Sequence, residues 1–253
     1  MLQVPVFLDT ETTATKKNEP VEISYIVREG DVETEVQHYI NPTEECLPVA
    51  TVCHGLTSDF LAHNGINIEE DLMEAVSDLL ENQNKYCIIG YNIGFDIKVI
   101  NDACKTYLRK EFKPITYIDI MKLAKKVIPR DVLGSYSLDC VYYHLMPNKL
   151  DRLLEARSSH SALVDAQLTK ELYYAILPVV FGDDIPDLDS IMDKAEEPNI
   201  LKVWPFGKHK GEDIIDVYNK DRQYMNWFMY KCDFKDSWGD LVHTLEEKFG
   251  YHK

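Results

Sequence analysis

Three short segments of this chain place carboxylates, and one imidazole, at spacings that suit metal-assisted chemistry. Asp9 and Glu11 follow a short apolar run, and residues i and i+2 of a strand point to the same face. Asp96 lies where a strand gives way to the first turn of a helix. His160 lies just before another helix, and Asp165 lies inside it. Because carboxylates at the end of a buried strand repel each other and lose hydration, a hard divalent cation would stabilise them.

Each segment also has an ordinary structural explanation. Asp9 and Glu11 would fit a solvated acidic turn, and Asp96 would complement the dipole at a helix N-terminus. His160 and Asp165 would fit a histidine at the start of a helix and an exposed acid. Taken singly, these explanations are the better ones. The three segments together, in this order along the chain, are far more specific.

The residues around these segments form motifs in the order that one nuclease family shows. The motifs lie at residues 9–13 (Asp-Thr-Glu-Thr-Thr), 52–57 (with His-Gly-Leu-Thr), 92–96 (Asn-Ile-Gly-Phe-Asp), 136–139 (Tyr-Ser-Leu-Asp) and 160–165. Over residues 5 to about 178 the chain resembles the DEDDh family of 3'-5' exonucleases, whose fold is ribonuclease H-like.

That resemblance implies a two-metal site for phosphodiester hydrolysis. Asp9 would bridge two Mg²⁺ or Mn²⁺ ions. Glu11 and Asp165 would complete the first metal site, and Asp96 would hold the second. His160 would deprotonate the attacking water, a role that suits an imidazole because its unperturbed pKa is about 6.5. No carboxylate or histidine of the pattern is missing, which argues against an inactive nuclease.

Residues beside these motifs are expected to contact the substrate, by holding the 3'-terminal nucleotide or by stacking on bases. They are Thr10, Thr12, Thr13, His54, Leu56, Asn92, Phe95, Lys208 and Lys210. Core packing explains Leu56 and Phe95 equally well. Many family members have His-Asn where this chain has Tyr91-Asn92, so we expect altered substrate packing there and intact metal binding.

The two lysines belong to a turn in the C-terminal tail. Gly207 and Gly211 bracket Lys208 and Lys210, which predicts a tight turn that presents the lysines outward. Lysine is rarely buried without a partner, so a place in the core is a poor explanation for them. We therefore expect both side chains to contact phosphates.

Aromatic residues surround this turn. Trp204 and Phe206 would stack on unpaired bases, or they would form the core of a small module, which is the explanation that we favour for Trp204 and Trp227. Residues 204–211 and 221–228 resemble a signature that follows the nuclease domain in one exodeoxyribonuclease subgroup of the family.

The elements that position these residues follow from hydrophobic periodicity. Apolar or alternating runs predict strands at residues 4–8, 21–28, 33–40, 86–90 and 115–118. Helical spacing predicts helices at residues 68–80, 95–108, 120–127, 138–145 and 162–177, the last of them stopped by Pro178. Strands followed by alternating strands and helices predict an α/β fold, with a mixed sheet flanked by helices.

Composition divides the chain into three parts. Residues 1–180 carry the motifs of the exonuclease domain. Residues 181–198 are acidic and contain two prolines, so we interpret them as a linker, although a surface loop within one domain fits equally well. Residues 199–253 are rich in aromatic residues and form a small C-terminal module, too short for us to expect that it folds alone.

The net charge of -16 counts against a nucleic-acid partner, because phosphate binding normally uses basic surfaces. The charge is uneven, however, since residues 105–130 hold eight basic and two acidic side chains. Bound metal ions would also bring positive charge to an acidic cleft.

Other features of the sequence concern the compartment. The chain has six cysteines without a C-x-x-C pair, which favours free thiols in a reducing compartment. Neither a signal peptide nor an apolar run of membrane-spanning length is evident, so we expect a cytoplasmic protein without a membrane partner.

The sequence thus favours a metal-dependent 3'-5' exodeoxyribonuclease that releases nucleoside monophosphates from the 3' ends of single-stranded DNA or frayed duplexes. One alternative is an RNA exonuclease of the same family, a choice that depends on contact with the 2'-OH. Another is a non-catalytic nucleic-acid-binding subunit. The tail favours DNA, and the intact set of acids and histidine argues against a non-catalytic role.

Overall fold

In residues 3–157 and 161–251, the ranges that the computed structural model describes, six strands form one mixed sheet. The strands are β1 (Val4–Thr12), β2 (Pro20–Glu29), β3 (Val32–Asn41), β4 (Ile66–Asn67), β5 (Tyr86–Gly90) and β6 (Thr116–Asp119). Their order across the sheet is β4-β3-β2-β1-β5-β6. β2 pairs antiparallel with β1 and β3, whereas the pairs β1–β5, β5–β6 and β3–β4 are parallel.

Helices cover both faces of this sheet. They are α1 (Pro48–His54), α2 (Ser58–Asn64), α3 (Leu72–Asn82), α4 (Gly94–Ala103), α5 (Ile120–Val127), α6 (Arg130–Leu133), α7 (Leu138–Leu145), α8 (Leu150–Arg157), α9 (Ala162–Phe181) and α10 (Leu188–Glu196). A π-helical turn over Cys104–Leu108 continues α4. The sheet and these helices form one compact unit, Met1–Ala195, and Glu196–Lys253 form a second.

Side chains alternate along β1, so this strand contributes to a hydrophobic core on each face of the sheet. Phe7 faces α9, where its ring lies 5.5 Å from that of Tyr173, in a core with side chains of α5 and α7. Val6 and Leu8 face the other way, into a core with α3 and α4. The mixed sheet between two helical layers confirms the predicted α/β class.

Several predicted elements are confirmed closely. The hairpin of β2 and β3 turns at Gly30, whose φ of 63° lies in the left-handed region that glycine tolerates. Helices α5 and α7 have the predicted bounds. The helix expected from residue 68 begins only at Leu72, because the pairing of residues 66–67 with β3 continues into a bond from the Ile68 N–H to the Asn41 carbonyl at 3.2 Å.

Two expectations near the end of the first unit are wrong. Pro178 does not stop α9, which continues to Phe181 and ends at Gly182. A proline in the last turn removes only one N–H, and the Gly182 N–H still donates to the Pro178 carbonyl. The expected acidic linker contains α10, because Ile191 and Ala195 are apolar at helical spacing and are buried in the α9-side core.

The second unit has a small core of its own. Its helices are α11 (Ile214–Lys220), α12 (Arg222–Lys231) and α13 (Gly239–Phe249). Trp204 and Phe228 are fully buried in this core, with ring centroids 5.7 Å apart. Across the described ranges of the chain, no helix has the length and apolar character that a membrane span requires.

Candidate active site

The first two candidate carboxylates lie on β1, on the face that Phe7 turns toward α9. In the antiparallel register with β2, Asp9 lies opposite Ser24 and Glu11 lies opposite Glu22. The parallel pairing of β1 with β5 ends at Phe7, so the last residues of β1 are flanked by β2 on one side only. The other side is therefore open to groups that follow β5.

The loop after β5 brings Asp96 to that open side. Gly90 ends the strand, and a Cβ there would lie 2.9 Å from the Leu8 carbonyl oxygen, so only glycine lets the chain turn so close to β1. Asn92 follows with a φ of 60°, and its N–H donates to Asp119 Oδ1 at 3.0 Å. Helix α4 then begins at Gly94, with Asp96 in its first turn.

Asp96 is tied to β1 by two hydrogen bonds. Its Oδ1 accepts from the Thr10 N–H at 3.0 Å and from Thr10 Oγ1 at 2.7 Å. The carboxylate is only 3% exposed, and this burial raises its pKa to about 7, although the bonds from Thr10 oppose the rise. The first and second acidic motifs therefore meet at one point of the sheet.

The third motif is described in part. Asp165 lies half-buried in the first turn of α9, and Ser161 caps that helix by accepting from the Leu163 N–H at 3.2 Å. His160, the expected general base, lies outside the described residues.

The electrostatics of Asp9 show that the acids form one cluster. Burial raises the pKa of Asp9 well above its usual range, and the charges of Asp96, Asp165, Glu11 and Glu22 raise it further. Four of these carboxylates are the ones that the sequence motifs singled out. The structure thus brings residues from β1, α4 and α9 into one electrostatically coupled site.

This donor set suits a hard divalent cation in its chemistry, since carboxylate oxygens are the ligands of such ions and a cation relieves the repulsion on Asp9. In the part of the chain that the structure describes, no three His, Cys, Asp or Glu side chains lie close enough together to share a metal ion.

The threonines of the first motif differ in what they can reach. Thr10 is buried and gives both of its donors to Asp96, so we now expect it to position that carboxylate instead of contacting substrate. Thr13 is fully buried and closes the β1–β2 loop, where its Oγ1 accepts from the Glu19 N–H at 3.2 Å. Thr12 is half-buried at the end of β1, and among these three it is the best placed for a nucleotide.

The remaining candidates in the first unit are exposed to different degrees. His54 is buried; its Nδ1 accepts from the Leu56 N–H at 3.0 Å, and burial lowers its pKa. Asn92 is exposed, Leu56 is half-buried, and Phe95 is 44% exposed. Core packing therefore does not explain Phe95, and its stacking on a base stays a prediction.

In the second unit the predicted turn is present. Gly207 and Gly211 have φ values of 63° and 85°, and Lys208 and Lys210 are exposed between them. Lys208 Nζ lies 2.5 Å from Asp221 Oδ2, so its charge is compensated within the unit.

The aromatic residues near the turn divide in an unexpected way. Trp204 is fully buried, as we expected for a core residue, and Phe206 packs on it with ring centroids 5.9 Å apart. Trp227 is 38% exposed, contrary to our expectation, because it lies on an outer face of α12 and stacks on Tyr224. Of these two rings, that of Trp227 is therefore accessible and that of Trp204 is not.

One acid near the site lies outside the sequence motifs. Glu22 is fully buried on β2, directly opposite Glu11. Its signal in the sequence is an acidic residue inside an otherwise apolar strand, a pattern that requires a partner for the charge.

Relatives among known proteins, including the following two, match this chain over most of its length. The chain is 23% identical over 232 residues to Exodeoxyribonuclease 10 of Escherichia coli (strain K12), which covers 89% of this chain and 90% of that protein. It is 27% identical over 175 residues to DNA polymerase III subunit epsilon of Aquifex aeolicus (strain VF5), covering 68% of this chain and 79% of that protein.

Solved structures share the fold. E. coli Exonuclease I in complex with a dA16 oligonucleotide matches with a TM-score of 0.56 and 18% identity, over 76% of this chain and 42% of that chain. The zinc-bound form of an E. coli ExoI–ssDNA complex matches with a TM-score of 0.52 and 18% identity, over 70% and 40% of the two chains. This chain therefore spans less than half the length of those proteins, and the likeness confirms the predicted fold.

A family model described as Exonuclease (RNase_T) matches residues 6–173, which contain the central sheet except the first two residues of β1, together with the first part of α9. Enzymes of this family depend on divalent metal ions, which agrees with the acidic cluster. On this match the chain belongs to the exonuclease family.

Proposed function

We propose that this chain is a metal-dependent 3'-5' exodeoxyribonuclease that hydrolyses the terminal phosphodiester bond at DNA 3' ends and releases nucleoside monophosphates. The observation that carries the proposal is the extent of the similarity to Exodeoxyribonuclease 10. It covers 89% of the chain, a share larger than the first unit, and so reaches into the second. DNA polymerase III subunit epsilon, a second relative, is likewise part of a DNA-processing enzyme by its name.

The acid cluster supplies the chemistry in this proposal. Asp9, Glu11, Asp96 and Asp165 would hold two Mg²⁺ or Mn²⁺ ions, and these ions would stabilise the charge that develops on the phosphoryl and leaving oxygens. His160 would accept the proton of the attacking water as that water bonds to phosphorus and the bond from phosphorus to the 3'-oxygen breaks.

The remaining candidates would place the DNA strand. Thr12, His54, Leu56, Asn92 and Phe95 would surround the terminal nucleotides, with the exposed ring of Phe95 stacked on a base. The N–H of Thr12 itself would bind the phosphate, since it lies on the same open edge of β1 as the Thr10 N–H, whereas the Thr13 N–H already donates to the Glu19 carbonyl at 2.9 Å.

The second unit would add affinity for the strand. We propose that Lys208 and Lys210 contact phosphates, that residues 1–195 form the catalytic domain, and that Glu196–Lys253 form an exodeoxyribonuclease-type accessory module. We also keep the expectation of a cytoplasmic enzyme that acts on single-stranded or frayed 3' ends.

The test uses the purified full chain and four oligonucleotides, namely DNA and RNA labelled at the 5' or the 3' end. With Mg²⁺ or Mn²⁺, the 3'-labelled DNA should lose its label at once as a mononucleotide, and the 5'-labelled DNA should shorten one nucleotide at a time. Faster degradation of RNA would assign the chain to RNA processing instead. Binding without any cleavage in either metal would indicate a non-catalytic subunit.

A further inference from the structure

A buried carboxylate that no sequence motif includes lies beneath the first turn of α9. Glu22 is fully buried on β2 and faces the same side of the sheet as Asp9 and Glu11. It is therefore part of the floor of the acidic site, although it belongs to a different strand from the expected metal ligands. A buried charge of this kind is strongly unfavourable unless hydrogen bonds compensate it.

One oxygen of this carboxylate collects all of its hydrogen bonds. Glu22 Oε1 accepts from Ser24 Oγ, Gln37 Nε2 and Ser161 Oγ, each at 2.9 Å, and from the Leu163 N–H at 3.3 Å. Two of the donors lie on strands of the sheet and two lie at the start of α9. Glu22 thus links the sheet directly to the end of the helix that carries Asp165.

Glu22 also interacts electrostatically with the N-terminus of α9. The N-terminus of a helix carries partial positive charge and unpaired N–H groups, so a carboxylate there is favourable. Within the described ranges, Glu22 Oε2 has no hydrogen-bond partner. The charge of Glu22 acts on Asp9 and His54, both of which belong to the candidate site.

We propose that Glu22 is a positioning residue, whose buried carboxylate fixes the first turn of α9 beside β1 and adds a negative charge that raises the affinity of the site for divalent metal. This inference rests on the proposed metal-dependent function. Outer groups that orient metal ligands commonly change metal affinity or activity by about 10- to 100-fold when they are replaced.

The experiment compares Glu22→Gln with a matched control, Ser24→Ala. Gln keeps an oxygen that accepts from Ser161 and Leu163 but removes the charge, and it is close to Glu in size. Ser24→Ala removes one of the donors to the same oxygen and leaves the charge and both bonds to α9 in place. Circular dichroism checks that both variants fold.

The first measurement is the rise in melting temperature during titration with Mg²⁺ alone, without DNA. Glu22→Gln should need about tenfold more Mg²⁺ than wild type for half of the rise, and Ser24→Ala should match wild type. At saturating Mg²⁺, Glu22→Gln should lower kcat and leave KM for DNA close to that of wild type, because Glu22 acts through α9 and touches no substrate.

The outcomes separate this inference from the function on which it rests. A wild-type chain that neither gains stability with Mg²⁺ nor cleaves DNA would contradict the proposed function itself. A wild-type chain that does both, with a Glu22→Gln variant that has the same Mg²⁺ midpoint and kcat, would show that Glu22 only joins the sheet to the helix.

Discussion

At the scale of single residues, the site stores unfavourable electrostatic energy in the metal-free chain. Burial and neighbouring acids raise the pKa of Asp9, and burial raises the pKa of Asp96 from 3.8 to about 7. An acid whose pKa is higher in the folded chain than in the unfolded chain destabilises the folded state once the pH exceeds the unfolded value. The stability of the metal-free chain should therefore fall as the pH rises from about 4 to about 7.

Replacing Asp96 with Asn tests this directly. The amide oxygen still accepts from Thr10, but there is no charge to bury, so Asp96→Asn should melt at a higher temperature than wild type in EDTA at pH 8. The difference should shrink as the pH falls toward 4. Melting curves across this range, with the exposed Asp102→Asn on the same helix as control, measure the effect. Equal pH dependence in Asp96→Asn and wild type would show that Asp96 ionises freely.

Residue types and spacing predict the main acids of the site but not the side chains that position those acids. Asp9, Glu11, Asp96 and Asp165 were predictable because their motifs lie at the ends of periodic elements. Glu22 was not, since its partners come from β2, β3 and α9, which are far apart in the sequence. For the same reason the sequence predicts substrate contact for Thr10, although in the tertiary structure its hydroxyl donates to Asp96.

At the scale of elements, a carboxylate at the end of β6 holds the connection from β5 to α4. Asp119 is buried at the end of β6, and its Oδ1 accepts from the Met121 N–H, as the N-cap of α5, and from the Asn92 N–H, both at 3.0 Å. Asn92 lies in the left-handed region, four residues before Asp96. Asp119 therefore both caps α5 and holds the loop that places Asp96 in the candidate active site.

Asp119→Ala should consequently affect both stability and activity. Loss of the cap should lower the free energy of unfolding by about 0.5–2 kcal/mol. Asp213→Ala is a matched control, because Asp213 caps α11 in the second unit through the Ile215 N–H at 2.7 Å. Chemical denaturation should show a loss in both variants, whereas kcat should fall in Asp119→Ala alone. An unchanged kcat in Asp119→Ala would mean that the loop keeps its position without this bond.

The elements themselves were largely predictable from periodicity. β5, α5 and α7 have bounds that the apolar spacing predicts, because their packing faces are regular. Composition was misleading for residues 188–196, where four apolar side chains in an acidic segment, two of them fully in the core, bury one face of α10. Proline was misleading in α9, since a helix loses little when proline lies in its last turn.

At the scale of the whole molecule, a chain with a net charge of -16 would have to bind polyanionic DNA in the proposed function. Metal ions would compensate the acidic site, and exposed lysines would act elsewhere. Lys210 is exposed in the turn of the second unit, whereas Lys208 is paired with Asp221 and lies 4.8 Å from the ring centre of Tyr224. Before DNA binds, Lys208 is therefore held in an ion pair, whereas Lys210 is exposed in the turn.

Salt dependence of binding distinguishes their contributions. Each phosphate contact on single-stranded DNA contributes a slope of about -0.7 in log affinity against log salt. Lys210→Ala should make the slope shallower by about 0.7, and the double variant with Lys208→Ala by about 1.4. Fluorescence anisotropy over a range of salt concentrations gives the slopes, with the exposed Lys248→Ala as control. A double variant with the wild-type slope would show that this turn does not contact phosphates.

In the proposed function, Asp9 would be the ligand that both metal ions of a 3'-5' exodeoxyribonuclease share. The most direct measurement is single-turnover release of the terminal nucleotide from 3'-labelled single-stranded DNA, by wild type and Asp9→Asn, in Mg²⁺ and in EDTA. Wild type should release labelled mononucleotide in Mg²⁺ alone, whereas Asp9→Asn should release almost none although it still binds DNA. Release by Asp9→Asn at the wild-type rate, or by wild type in EDTA, would contradict this role of Asp9 and the dependence on metal.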